Sequence, residues 1–483
     1  MLFLRKALFY LFLLLYLCLC PLTLLYAMGY LFKPGTGHGI MKTGLIAVSS
    51  APPGATVYVE NRRYTKRTPT MLRDLLPGEY AVRLVLNDHR PWSQIVPVRD
   101  GQSTVLAHVL LLPQRLPFRL RLPHSCKQLW PLPETHVFLA ATGPTLGDVV
   151  VYDMKEHTHR PLLPPAAETW RAARLVSPMV VPGSRAVLWR VRLRDDEHWL
   201  WMELKAGETR VEEITRLFPV EPRQVLWDPL REGHLLAWQE GYLHRLDIAA
   251  QSLQPQWLTD VRGYSPSEKA LFVLLEDGRL VRMDHEAKDA VALLDMAAID
   301  PTSTTAAGLF QVTVLSKDLV FLLGEHGELW CNRFPYRLVP RGVAGMTTDA
   351  LHERVLIWQG GRLGVIDVSR KTETTESFEA GPVVRWVFDA GKQIAQASWV
   401  YDGSHILFRD QDAVFLLELT PYGTPHLYEL AHVEHETAIT YNEETGTFYY
   451  LEPATGTCYS VEIVPKRELM PLPFPERGTG DAR

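Results

Sequence analysis

The chain has 483 residues, 47% of them hydrophobic and 10% aromatic, which suits two or three domains and excludes global disorder. Lys and Arg number 50 against 55 Asp and Glu, and this net charge of −5 argues against a general nucleic-acid binder, which would carry a basic surplus. Five cysteines are too few to staple a chain of this length with disulfides.

After Arg5 and Lys6 the chain runs without a charge from Ala7 to Phe32, ending just before Lys33. As a helix that stretch would rise about 39 Å, enough for a ~30 Å hydrocarbon core. It predicts a transmembrane helix over residues 7–32, preceded by a short cytoplasmic segment, 1–6. Pro21 would bend the helix locally, and Tyr26 and Tyr30 would sit in an interfacial belt. A cleaved signal peptide has an apolar region of only about 7–15 residues, although Ala27-Met28-Gly29 leaves cleavage open. Lipidation at Cys18 or Cys20 is disfavoured by Leu17 and Leu19, which stand where a small residue is needed. The expected placement is single-pass in the plasma (inner) membrane, N-terminus inside and later domains extracytoplasmic. Residues 33–42 (KPGTGHGIMK) read as a glycine-rich spacer.

The pattern then changes to short strands and tight turns. Gly44–Ser49, Ala55–Glu60, Tyr80–Leu86, Gln94–Val98 and Ser103–Leu112 alternate as strands, separated by Pro52-Pro53-Gly54, Thr68-Pro69-Thr70, Leu76-Pro77-Gly78-Glu79 and Arg99-Asp100-Gly101-Gln102. Five or more strands in so short a span predict a small antiparallel sandwich. On Pro53-Gly54-Ala55, Val57-Tyr58-Val59, Thr68-Pro69, Leu76-Pro77-Gly78-Glu79-Tyr80 and Trp92, residues 43–113 resemble a PEGA domain. Glu60-Asn61 stands where that family usually has Asn-Gly, and Lys66-Arg67 replaces a usual glycine. The resemblance implies a small, non-catalytic β-domain of surface or envelope proteins, with no catalytic residue to transfer.

From 130 to 464 the chain repeats itself. WDPLREGHLLAWQEGYLHRLD (Trp227–Asp247), YSPSEKALFVLLEDGRLVRMD (Tyr264–Asp284) and TDALHERVLIWQGGRLGVID (Thr348–Asp367) share one plan. Each has a polar loop, an apolar strand, a tight turn and a second apolar strand ending in Asp. Variants occur at Val400–Leu419 and Tyr441–Val464, with weaker ones after Pro133, Pro182 and Ser316. Eight hairpins at a period of about 42 residues predict a seven- or eight-bladed β-propeller with four strands per blade. The stretch 401–408 (YDGSHILF) resembles the repeat of TolB-like propellers. The fold class expected for the whole is therefore all-β: an N-terminal transmembrane helix, a PEGA-like sandwich and a propeller over 130–464. The Pro-, Gly- and charge-rich residues 465–483 read as a disordered tail.

Chemistry was sought in every cluster. His157-Thr158-His159, with Asp153 and Glu156 near, would place two imidazoles on one strand face but needs a third convergent ligand, and His432, Glu434, His435 and Glu436 lack the one-face spacing of a helical zinc motif; both read as solvated loops in preference to metal sites. Cys126, Cys331 and Cys458 lack a catalytic flank; in an oxidising compartment they would permit one disulfide and leave one thiol. Phosphate-cradling motifs are absent, and Gly360-Gly361 reads as a hairpin turn. Most tryptophans fall within apolar runs and read as blade core. Trp199 and Trp201, two residues apart on one strand face, are the candidates for stacking on sugar rings. No catalytic, cofactor-binding or metal-ligating residue is assigned, and no cofactor is expected. The expectation is a membrane-anchored, envelope-located, non-catalytic scaffold that binds a protein or glycan partner of the envelope, and no nucleic acid, through its propeller. The alternatives are a propeller-based hydrolase or lyase, with its site assembled from several blades, and a glycan-binding protein. A sensor feeding a kinase is disfavoured by the brevity of residues 1–6.

Overall fold

Each of the eight hairpins becomes the two middle strands of a four-stranded antiparallel sheet, and the reason lies in its apolar runs. In His234–Gln239, Leu235 and Ala237 pack toward the preceding sheet while Leu236 and Trp238 pack toward the following one. In Leu271–Leu275, Leu271 and Val273 likewise face one way, Phe272 and Leu274 the other. Successive strand residues point to opposite faces, so a near-continuous apolar run means a strand buried on both sides. A sheet with two such faces cannot be stable alone and must stack between neighbours.

The computed structural model describes residues 2–465 except 28–29, 33–39, 133–134, 181–184, 206–207, 219–221, 230, 232, 268, 285, 301–307, 317, 369–381 and 435–436. Most of the expected spacer and the tail after Pro465 therefore lie outside the described residues. Eight sheets follow one another: blade one (Gln128–Pro131 to Thr158–Pro161), two (Arg174–Val180 to Glu208–Glu213), three (Gln224–Trp227 to Ser252–Leu258), four (Val261–Pro266 to Val291–Asp295), five (Gln311–Ser316 to Arg337–Val339), six (Gly345–Asp349 to Val384–Phe388) and seven (Ile394–Val400 to Leu427–His432). Blade eight takes Thr440–Asn442, Thr447–Leu451 and Thr457–Glu462 from the C-terminal side. Its outermost strand is Phe118–Ser125, from before blade one, paired antiparallel with Thr457–Glu462. The array thus begins at 118, twelve residues before the sequence pattern placed it, because an outermost strand is exposed and carries little apolar signal. First strands touch first strands (Gln224–Trp227 to Val261–Pro266, and Val261–Pro266 to Gln311–Ser316), so they lie nearest the axis. Eight apolar clusters fill the eight interblade spaces, the last joining Tyr449, Leu451 and Cys458 of blade eight to Phe138, Ala140 and Tyr152 of blade one. The blade count, left between seven and eight by the sequence, is eight.

Residues 44–110 form a two-sheet sandwich of seven strands. One sheet has the order Thr70–Leu75, Gly44–Ala51, Ser103–Leu110; the other, Arg62–Arg67, Thr56–Val59, Gly78–Val85, Trp92–Val98. Two of these, Arg62–Arg67 and Thr70–Leu75, were not marked in the sequence because their charged and polar residues break the alternation. The expected all-antiparallel sandwich is corrected at one place: Gly44–Ala51 pairs parallel with Ser103–Leu110. Glu60 and Asn61 both take positive φ, 48° and 65°, so the hairpin closes as a type I′ turn without the usual Asn-Gly. Glu60 is held there by its Oε1, which accepts from the Ala81 amide at 2.7 Å.

A helix, Leu2–Ala27, forms over the N-terminal apolar stretch, but the expected transmembrane helix of 7–32 is overturned. Among the described residues no helix is long and apolar enough to cross a membrane. Tyr30–Phe32, the last residues of the expected span, instead pair as a strand with Ile40–Lys42. The single-pass, N-inside placement in the plasma membrane that rested on that span falls with it.

The sandwich is seated on blade seven through a buried polar joint. The indole Nε1 of Trp92 donates to both carboxylate oxygens of Glu418, at 3.1 and 3.0 Å. The same carboxylate meets His426 Nδ1 at 2.6 Å, and the Trp92 and His426 rings lie 5.7 Å apart. Gln94 Nε2 donates to the carbonyls of Tyr422 and Thr424. Leu110 and Leu112 extend the apolar cluster between blades seven and eight, which makes the contact continuous with the propeller core. Burying a carboxylate is costly unless its lone pairs are satisfied, and here the acceptor on the propeller and a donor on the sandwich depend on each other.

Beneath that joint His405 is fully enclosed, its Nδ1 2.8 Å from Ser404 Oγ. Burial pushes its pKa down to about 4; nearby Glu418 opposes this, while His108 and His426 add to it. The unfolded chain, with an ordinary histidine pKa near 6.5, then binds a proton before the folded one does. Stability is therefore full above about pH 6.5 and falls as pH drops from there toward 4, by at most about 1.4 kcal/mol per pH unit from this group. Thermal unfolding followed from pH 7 to 4.5 should show this decline, and His405→Gln should flatten it. A second prediction concerns the thiols. Cys126, Cys331 and Cys458 are free and buried, and burial raises all three, the first two to about 11. Iodoacetamide at pH 8 should leave them unmodified in the native protein and label all three after unfolding, as read by peptide mass spectrometry.

Candidate functional site

A groove of about 460 Å³ opens between blades two and three. One wall is built by strand geometry. Along Asp196–Lys205 side chains alternate, so Trp201, Glu203 and Lys205 share the face turned toward blade three. Their cross-strand neighbours Glu212, opposite Trp201, and Arg210, opposite Glu203, extend that face. The other wall comes from blade three: Trp227 at the end of its first strand, and Gly233, Ile248 and Ala249 from its turns. Gly233 has φ 77° and a Cβ there would point into open space, so the position is glycine for its backbone and not for want of room.

The groove combines flat apolar surface with fixed charge. The indoles of Trp201 and Trp227 lie nearly parallel, 10° apart in plane with ring centroids 6.0 Å apart. Lys205 pairs with Glu203 at 3.4 Å, and Arg210 with Glu212. Arg185 lines the rim, exposed and with no ion pair among the described residues, so the lining carries one cation more than anions. The polar wall is braced from behind. Arg160, on the outermost strand of blade one, donates to Thr209 Oγ1 at 2.8 Å and to the carbonyls of Lys205 and Glu208 at 3.3 Å. That fixes the turn which carries Lys205. Burial lowers the Arg160 pKa, though it stays charged at any physiological pH.

Both tryptophans singled out in the sequence are buried in the cluster between blades two and three; Trp201 also borders this groove, and Trp199 packs against Phe218 at 5.3 Å. Trp227, read as core, is the half-buried partner that completes the wall. The histidine candidates are not brought together. His157 sits in a turn with φ 55° near Arg121, and His159 is exposed on the last strand of blade one. Asp153 caps that turn by accepting from the Lys155 and Glu156 amides. His432 is exposed beside Glu429, 3.3 Å away, while His435 and Glu436 lie outside the described residues. Among the described residues no group of three or more His, Cys, Asp or Glu side chains is placed to hold a metal ion. Gly360-Gly361 is the turn of blade six, and a Cβ on Gly361 would collide with the Gly391 carbonyl. Sequence reasoning missed the groove's Arg210 and Glu212, as well as Glu418 and His426 at the joint. Arg210 and Glu212 reach the groove only through their cross-strand places opposite Glu203 and Trp201, and Glu418 meets Trp92 from 326 residues away, so spacing along the chain carries no trace of either site.

Comparison with known proteins agrees with this division of the chain. Residues 43–111 match the family model of the PEGA domain. No curated protein matches the chain. Solved structures similar to it include the β-propeller domain of Cps50 (Swd1) from Myceliophteria thermophila, with 11% identity, 72% of this chain and 100% of that one covered, and a TM-score of 0.39. YCF48 from Cyanidioschyzon merolae has 12% identity, covering 71% of this chain and 98% of that one, with a TM-score of 0.39. The computationally designed Ika8 protein has 12% identity, the same coverages and a TM-score of 0.40. At these values the likenesses carry no functional argument, and the propeller assignment rests on the sheet order. The chain thus consists of a region similar to the PEGA domain followed by an eight-bladed β-propeller.

Proposed function

We propose that the protein is a non-catalytic binding scaffold whose propeller holds a glycan chain in the groove between blades two and three. The observation that carries this reading is the pairing of two near-parallel indoles, one from each wall, beside an ion-paired arginine and glutamate of blade two. The C–H face of a sugar ring is apolar and flat and suits an indole. Its hydroxyls suit donors and acceptors held in fixed positions by neighbouring charges. Lys205, Glu203, Arg210 and Glu212 are already neutralised pairwise, so they offer hydrogen bonds more than net charge. The excess cation, Arg185, favours a sugar bearing a carboxylate. The region similar to the PEGA domain, locked to blade seven by Trp92 and Glu418, serves in this reading as a rigid extension of the scaffold.

The test is a panel of soluble neutral and uronic-acid-containing oligosaccharides titrated calorimetrically against the whole chain and against Trp227→Ala. Binding of a uronic-acid-containing member, weakened about tenfold or more by Trp227→Ala and less by Trp227→Phe, is the expected result; tenfold corresponds to about 1.4 kcal/mol. Binding of none of the panel, or turnover of any member, would overturn the reading.

A further inference from the structure

The sandwich is attached to the propeller by one edge of its four-stranded sheet and offers the other edge to solvent. The attached edge is Trp92–Val98, held by Trp92 and Gln94. The free edge is Arg62–Arg67; among the described residues it pairs only with Thr56–Val59, and no described strand lies along its outer row of backbone groups. Arg62, Arg63, Lys66 and Arg67 are all exposed on this strand. Since successive residues of a strand point to opposite faces, Arg62 and Lys66 lie on one face and Arg63 and Arg67 on the other.

Charged edges often serve only to keep strands of other chains away. Two observations go beyond that need. Arg83 is two strands in from the edge, where it guards nothing; it lies in one cross-strand row with Tyr58 and Arg63. Arg73, on the adjacent strand of the other sheet, adds a further exposed cation. None of these six cations makes an ion pair among the described residues, although the chain forms many elsewhere. Residues 43–111 hold eight Lys and Arg against five Asp and Glu, a net charge of +3 in a chain whose total is −5. Residues 43–111 thus carry a net positive charge in a chain whose total is negative.

We propose that this edge binds an acidic, extended peptide segment of a partner protein by strand addition. Backbone hydrogen bonds along Arg62–Arg67 would supply the pairing, and the cations would select the sequence. Because cations flank the edge on both faces, the matching segment has acidic residues at consecutive positions, not on alternate ones. The Arg63–Tyr58–Arg83 row reads one face of that strand. This is independent of glycan binding at the groove and stands or falls separately from it.

The probe is a fluorescein-labelled octapeptide, Glu-Asp-Glu-Val-Glu-Asp-Glu-Val, measured by fluorescence anisotropy against the whole chain. It is compared with the same peptide N-methylated at alternate backbone nitrogens, and with polygalacturonate as an unlabelled competitor. Expected are saturable binding, about tenfold weaker binding on N-methylation, about tenfold or greater weakening in the Arg63→Glu/Arg67→Glu double variant, and poor competition by polygalacturonate. Failure of the octapeptide to bind would overturn the proposal, as would indifference to N-methylation or competition by polygalacturonate at equal charge concentration. Circular dichroism checks the fold of the double variant. Should it not fold, the N-methylated peptide with the unaltered protein decides the matter alone.

Discussion

The structure depends on one constraint: a blade with two apolar faces cannot exist singly. Every middle strand of the array divides its residues between two neighbours, as Leu235 and Leu236 or Phe272 and Val273 do, and the energy of burial is realised only when both neighbours are present. An open row of such blades would leave two apolar faces wet. The chain removes both by closing the ring, and it does so with one strand, Phe118–Ser125, inserted beside Thr457–Glu462. Tyr449, Phe138 and Tyr152 then pack ring against ring across the seam at 4.8 to 5.8 Å.

The same closure positions everything functional. Because the strand that seals blade eight follows directly on the sandwich, the sandwich is drawn against blades seven and eight, and Trp92 reaches Glu418 across 326 residues of chain. The groove arises where the packing rule is locally relaxed. The outer part of blade two's face carries Glu203, Lys205, Arg210 and Glu212 in place of apolar residues, so blade three does not seal against it. The indoles Trp201 and Trp227, with Ala186, Ile248 and Ala249, supply the apolar surface there. A groove and a core are here two ends of one sheet face.

The two regions differ in how they handle an exposed edge. The propeller buries its middle strands and leaves the outermost strands of its blades, such as Ser252–Leu258, exposed. The sandwich closes one edge on the propeller and leaves the other open but charged, with Arg62, Arg63, Lys66 and Arg67. Seating through Trp92, Glu418 and His426 holds the sandwich against blade seven.

Sequence by itself determined the parts whose burial pattern is local. The eight hairpins, their period and their turns were readable because a strand buried on both faces must be apolar throughout. The Pro-Gly turns of the sandwich were readable because they impose backbone angles on their own residues. The membrane span was misread for the complementary reason. An uncharged run fixes hydropathy but not conformation, and Tyr30–Phe32 pair as a strand with Ile40–Lys42 instead of continuing the helix. Tertiary structure alone decided the number of blades, the parallel pairing of Gly44–Ala51 with Ser103–Leu110, the recruitment of Phe118–Ser125 and the meeting of Trp201 with Trp227. Each of these depends on which surfaces face one another once the ring is closed, and that is a property of the whole ring and of no segment within it.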